Sequence, residues 1–267
     1  MSQLRNATVL ITGAGGGFGQ ALTRQLLAKG SQLILTDHPA VNLLAKVQAL
    51  QGSEATPADQ ILTCIEADLA HAAGCQYLYD TIQTSGLVPN IVINNAGVAL
   101  VGNMIDVPPE RWEAMLQINL LAPMHLSTLY ARDMQARQQG HIVNISSLAG
   151  WIAPPGLTAY ATSKYGLRGF SEGLRYELAP YHVRVTTVYP FFSRTPLLTA
   201  PRFGRLAASD QALPAALTTD PEQIMARTIR AIERNQAEVF PDKFAQVGQW
   251  LKRYFPIAFG GLGWLKV

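Results

Sequence analysis

Short apolar runs recur along this chain between longer stretches of helical periodicity, and no other feature of the sequence narrows its fold as much. A strand that is apolar at every position needs cover on both faces, the condition of a parallel strand held between two helix layers. Val9-Leu10-Ile11 and Ile91-Val92-Ile93 are runs of this kind. The pattern predicts strands over Thr8–Thr12, Gln32–Asp37, Gln60–Glu66, Ile91–Asn94, Gly140–Ser146, Arg184–Tyr189 and Glu238–Phe240. Helices are expected near Phe18–Lys29, Val41–Leu50, Ala72–Ser85, Arg111–Arg137, Tyr160–Leu178 and Pro221–Asn235. Strand–helix–strand units repeated in this way build an α/β fold around a parallel sheet. With no repeat or linker in the pattern, residues 1–267 are expected to form one domain.

Two segments break the rhythm. Residues 191–219 are rich in Pro, Ala, Leu and Thr without a clear period, and long loops of this kind are more often functional lids than accidents. Residues 243–267 read as a short helix followed by an apolar tail.

Composition narrows the partners. At 48% hydrophobic and 15% charged residues, the chain has enough apolar surface to fold. The net charge of +3 is spread out, with no Lys/Arg run to track a phosphate backbone, so a nucleic-acid partner is not expected. Cys64 and Cys75 lack metal-ligand spacing and cannot form a disulfide framework, and no metal site is expected. Seven residues precede the first strand and no run reaches the roughly 20 apolar residues of a membrane span, so a cytoplasmic protein without a leader is the expectation.

After the first strand comes Thr12-Gly13-Ala14-Gly15-Gly16-Gly17-Phe18-Gly19, and then a helix. Glycines let the backbone approach a pyrophosphate, and the helix N-terminus offers free N–H groups and the positive end of its dipole. The spacing is T-G-x-x-x-G-x-G, through Gly13, Gly17 and Gly19. Asp37 ends the second strand, where a carboxylate accepts from the adenosine ribose hydroxyls and repels a 2′-phosphate. Gly16 puts no cation before the second glycine of the pattern. Both features point to NAD(H) over NADP(H), although Asp37 could instead cap the turn at His38-Pro39, and an Arg could reach in from elsewhere.

Tyr160 and Lys164 stand four residues apart, on one face of an expected helix. A phenol is a poor base near neutral pH unless a neighbouring cation lowers its pKa. Ser147 lies thirteen positions upstream, just past a strand's carboxyl end, where open parallel sheets bind ligands. Ser146 is the competing hydroxyl.

In combination these motifs resemble the short-chain dehydrogenase/reductase family over nearly the whole chain. The matching pieces are Thr12–Gly19, Asp37, Asp68-Leu69, Asn94-Asn95-Ala96-Gly97, Asn119, Ser147, Tyr160 with Lys164, and Pro190 through Thr195. The resemblance implies a doubly wound, seven-stranded Rossmann-type fold and NAD(P)-dependent oxidoreduction. It makes Tyr160 the general acid/base, Ser147 the group that polarises the carbonyl, and Asn119 the holder of a relay water. Lys164 would bind the nicotinamide ribose and lower the Tyr160 pKa. By the same likeness, Gly13, Gly15, Gly17, Phe18, Gly19, Asp37, Asp68, Leu69, Asn95, Ala96, Gly97, Pro190 and Thr195 would line the cofactor. One departure stands out: the family's Pro-Gly before the lid is here Pro190-Phe191, which adds bulk beside the nicotinamide or substrate.

Phe191, Phe192, Leu197, Leu198 and Phe203 of the lid, with Trp151, Ile152, Pro154 and Pro155, would give an apolar wall suited to a lipophilic alcohol or ketone. Arg194, Arg202 and Arg205 keep an NADPH-dependent 3-oxoacyl-thioester reductase as the alternative, and a non-catalytic nucleotide-sensing scaffold is the reading from another class. The resemblance also implies a homodimer or homotetramer through helices Arg111–Arg137 and Tyr160–Leu178. For the tail, with Trp250, Phe255, Phe259 and Trp264, an interface or pocket role is favoured over peripheral membrane contact.

Overall fold

The structure is a computed structural model and describes residues 2–51, 58–205 and 215–255. Residues 206–214 of the expected lid and 256–267 of the expected tail, with Phe259 and Trp264, lie outside the described residues.

Seven parallel strands form one sheet in the order β3-β2-β1-β4-β5-β6-β7. They are β1 (Thr8–Thr12), β2 (Gln32–Asp37), β3 (Ile61–Glu66), β4 (Ile91–Asn94), β5 (Gly140–Ile145), β6 (Val183–Val188) and β7 (Glu238–Val239). The helices between them are α1 (Gly17–Ala28), α2 (Leu43–Gln51), α3 (Ala72–Thr84), α4 (Pro109–Leu116), α5 (Ala122–Ala136), α6 (Thr158–Leu178), α7 (Pro221–Glu233) and α8 (Lys243–Tyr254). This is the expected α/β class, a Rossmann-type doubly wound sheet.

Alternation along each strand divides the core between two faces. Val9, Ile11, Leu33, Leu35, Ile91 and Ile93 pack with Leu22 and Leu26 of α1 and Ile224 and Ile229 of α7. Their neighbours Leu10, Ile34, Val92 and Ile142 point the other way, against Leu78 of α3, Tyr130 and Met134 of α5 and Leu174 of α6. Central strands buried on both faces explain the all-apolar runs in the sequence. The chain winds outward from β1 in one direction to β3 and in the other from β4 to β7, so the strand order reverses between β1 and β4. Loops leaving two such strands diverge and open a crevice at their carboxyl ends.

One expected helix is interrupted. Over Arg111–Arg137 the chain forms α4, a π-helical turn at Gln117–Leu121, and then α5. Ala122 N–H donates to the Gln117 carbonyl, the wide closure of a π-turn. Pro123 follows and has no N–H to return to the carbonyl of Asn119, four residues back.

Candidate active site at the carboxyl ends of β1, β4 and β5

The loop after β1 turns at Gly13, whose φ of +65° suits glycine, and a Cβ there would sit 2.8 Å from Cα of Ala96. At Gly19 a Cβ would run into the Gly13 carbonyl, so the helix starts tight against the loop. No side chain caps α1 at Gly16, and its first turn carries no acidic residue. The N-terminal N–H groups and the positive dipole end are therefore left for an anion, and these residues fit a dinucleotide's pyrophosphate. The ring of Phe18 packs onto the core beneath α1.

Side chains at the ends of β1 and β2 and from the residue after β4 hold this loop in place. Asn95 Nδ2 donates to the carbonyls of Thr12 (2.9 Å) and Gly13 (3.0 Å). Thr12 Oγ1 accepts from the N–H groups of Asn95 and Ala96, both at 3.0 Å. Asp37 Oδ2 accepts from Gly15 N–H at 2.8 Å, and Oδ1 accepts from His38 N–H at 2.8 Å. Asp37 thus lies against the glycine loop and also makes the turn contact at His38. Lys46 of α2, which carries no motif signal, donates from Nζ to the Gly15 carbonyl at 2.9 Å. It puts a cation on the Asp37 side of the loop. Beyond β3, Asp68 Oδ1 accepts from Ala70 N–H at 2.9 Å, and Leu69 is buried.

Ser147 follows β5 and caps a short 3₁₀ turn, its Oγ accepting from Ala149 N–H at 3.1 Å. Tyr160, in the first turn of α6, approaches Ser147 closely enough for the serine to oppose the rise of its phenol pKa, while Ser147 Oγ donates to the Pro190 carbonyl at 3.4 Å. Ser146 instead donates to the Lys164 carbonyl at 3.1 Å, which takes its hydroxyl into the core. Lys164 lies one turn beyond Tyr160, with Nζ 5.7 Å from the phenol ring centre and donating to the Ile145 carbonyl at 3.0 Å. Burial pushes the Tyr160 phenol up to about 12 against a smaller opposing pull from Ser147, and burial brings the Lys164 ammonium down to about 8. The expected lowering of the phenol by Lys164 is not seen: burial sets the direction, and the opposing pull comes from Ser147.

Asn119 is fully buried in the π-turn. Its Nδ2 donates to the Val98 carbonyl at 2.8 Å, and its Oδ1 accepts from Val98 N–H at 2.8 Å. This paired clamp fixes the loop after β4, and a Cβ on Gly97 would lie 3.3 Å from Asn119 Oδ1 and 3.6 Å from Lys164 Nζ. Gly97, Asn119 and Lys164 therefore meet, as do Ser147 and Tyr160.

The residues packed around Tyr160 are apolar, and Phe203 of the expected wall is among them. Tyr160 packs with Leu100, Val107, Met115 and Ala161, and Trp112, Leu157 and Phe203 lie against them. The lid is tied down where Val101 N–H donates to the Pro201 carbonyl and Phe203 N–H to that of Val101, at 3.0 and 2.8 Å. Thr195 closes over the glycine loop, since a Cβ on Gly17 would lie 2.6 Å from Thr195 Cγ2. The Trp151 ring packs on Tyr189 and Phe240 at 6.0 and 5.7 Å, under the Arg168 guanidinium, and these contacts do not join it to Tyr160. After Pro190, Phe191 packs on Phe192 (4.7 Å) and Phe244 of α8 (5.4 Å). Its N–H donates at 2.9 Å to Asp242, which also caps α8. Asp242 could be read as a helix cap from sequence, but its reach to Phe191 could not.

The family model for short chain dehydrogenases matches residues 7–202, which hold the glycine loop, Ser147, Tyr160 and Lys164. The chain belongs to the short-chain dehydrogenase/reductase family. Dehydrogenase/reductase SDR family member 7B of Bos taurus is 34% identical over 196 residues, or 73% of this chain and 60% of that relative's length. Epidermal retinol dehydrogenase 2 of Mus musculus is 31% identical over 258 residues, 94% of this chain and 79% of the relative. A short-chain dehydrogenase from Sphingobium yanoikuyae in complex with NADPH superposes with a TM-score of 0.79 at 26% identity, covering 96% of this chain and 94% of that one. One from Burkholderia phymatum in complex with NAD superposes with a TM-score of 0.80 at 21% identity, covering 95% of each chain. This short-chain dehydrogenase is thus an NAD(P)-dependent oxidoreductase of the dehydrogenase/reductase type.

Proposed function

We propose that this dehydrogenase moves a hydride between NAD(H) and a lipophilic secondary alcohol/ketone pair, with Tyr160 as the general acid/base. The observation that carries the reading is the approach of Ser147 to Tyr160 among packed apolar side chains, with Lys164 buried beside them. When bound, the nicotinamide supplies or accepts the hydride. Ser147 donates to the substrate oxygen and polarises its bond to carbon. Tyr160 delivers a proton to that oxygen during reduction and removes one during oxidation. Lys164 holds the nicotinamide ribose, and its charge favours the phenolate when oxidation requires it. Asn119 keeps the loop after β4 in place through Val98 and holds a relay water at its backbone carbonyl, which Pro123 leaves without its α-helical donor. The glycine loop and the start of α1 take the pyrophosphate, with Asp68, Leu69, Asn95, Ala96, Gly97, Pro190 and Thr195 around the rest of the dinucleotide. The name of the mouse relative, a retinol dehydrogenase, accords with a lipophilic substrate.

Asp37 supports NAD(H), because its carboxylate lies at the loop where the adenosine ribose would bind. Lys46, 2.9 Å from the Gly15 carbonyl, favours a second reading in which NADP(H) is also accepted. Side-by-side fluorescence titration of NADH and NADPH, followed by turnover on a panel of lipophilic secondary alcohols, tests both points. Tighter NADH binding with turnover supports the first reading and tighter NADPH binding the second, whereas binding of neither overturns the assignment.

A further inference from the structure

Helix α8 turns much of its apolar side away from the protein. Ala245 is buried, and a Cβ on Gly248 would lie 2.9 Å from Leu148, so these residues mark its inward side. Val247, Trp250 and Tyr254 follow at helical spacing with 56%, 50% and 59% of their surface exposed, and Phe255 adds 49%. An ordinary surface helix directs such a stripe into the core.

The charges around the stripe have one dominant sign. From Lys243 to Phe255 the sequence has Lys243, Lys252 and Arg253, with no acidic residue. Lys243 also lines a groove with Arg227 and Arg230 of α7 and Arg234 just past its end, at spacings of three and four. Glu238 is the groove's carboxylate, and it accepts a hydrogen bond from Tyr189 at 2.9 Å. A second copy of this chain seated on the same surface would bring like charges together, with no acidic side chain on α8 to meet them.

We propose that α8 and the adjoining α7 groove form a docking surface for an anionic lipid bilayer. The helix lies in the plane of the interface, with Trp250 and Tyr254 at headgroup level and the α7 arginines facing the lipid charges. At 12 residues, α8 is about 18 Å long, too short to cross a bilayer, and none of the described helices is long and apolar enough to do so.

Flotation of the full-length protein with phosphatidylcholine vesicles, with and without phosphatidylserine, tests this surface. The expected result is association with the phosphatidylserine vesicles at low salt, lost at high salt. Arg230→Gln should weaken it roughly fivefold, and Trp250→Glu roughly tenfold or more, with thermal midpoint and turnover unchanged. The comparison of salts and lipids on the unaltered protein decides the matter even if Trp250→Glu misfolds. No flotation with either vesicle overturns the proposal. Equal, salt-insensitive flotation with neutral vesicles overturns its anionic part. Self-association without lipid binding, abolished by Trp250→Glu, would assign the surface to a second copy of the chain.

Discussion

Tyr160 and Lys164 are both buried, and burial opposes charge on each side chain. With the phenol pushed up to about 12, Tyr160 holds its proton at neutral pH, which suits a group that protonates a substrate oxygen during reduction. Oxidation needs the phenolate, so kcat/KM for the alcohol should rise with pH while that for the ketone stays flat or falls. Initial rates in both directions across pH check this, and parallel profiles would contradict it. His141 gives a separate acid limb. Burial, reinforced by the Arg184 charge, brings its imidazole down to about 3, and the neutral ring is bonded at 2.9 Å to Ser2 and 2.8 Å to Thr186. Between the unfolded value near 6.5 and the folded value, the unfolded chain binds the extra proton, so stability falls as pH falls. The loss at pH 5 should be about 2 kcal/mol. Denaturant titrations at pH 7 and pH 5 should show it, and His141→Gln should flatten that slope.

Among the elements, the strands were the most legible in sequence because burial on both faces leaves little freedom in their composition. Their ends moved by a residue, as at β5, which stops at Ile145 rather than Ser146. The π-turn was not legible: Gln117–Leu121 continues the apolar spacing of the helices on either side, and nothing in that spacing marks where a ladder widens. Pro123 is the visible trace of it, and Pro123→Ala would restore a donor for the Asn119 carbonyl. The altered helix should melt higher while kcat falls roughly tenfold, through loss of the proposed relay at that carbonyl. Thermal melts and steady-state rates measure the two effects separately, and an unchanged kcat would remove the π-turn from the mechanism. Ser147 and Tyr160 could be found in sequence because a strand end and the next helix start bring them together locally. Lys46 and Gly15 meet only through the packing of α2 on the glycine loop, and Phe191 and Phe244 only through the docking of α8. Such contacts leave no spacing to read.

For the whole molecule, the reversal of strand order between β1 and β4 gathers these distant residues into one crevice. Cofactor choice belongs to this scale, since Asp37 of β2 and Lys46 of α2 both bond to Gly15 from two elements. Asp37→Ser should narrow the NADH:NADPH affinity ratio roughly tenfold, and Lys46→Ala should widen it, by the loss of one charge contact in each case. Titrations of the two variants check this, and an unchanged ratio in both would place selectivity elsewhere. The central claim is that the hydroxyl of Tyr160 moves the proton that accompanies hydride transfer. Tyr160→Phe removes that hydroxyl and keeps the ring in its apolar setting. Its NADH titration should match the unaltered protein, while turnover falls roughly 10²–10⁴-fold at every pH. Retained turnover with intact cofactor binding would contradict the account.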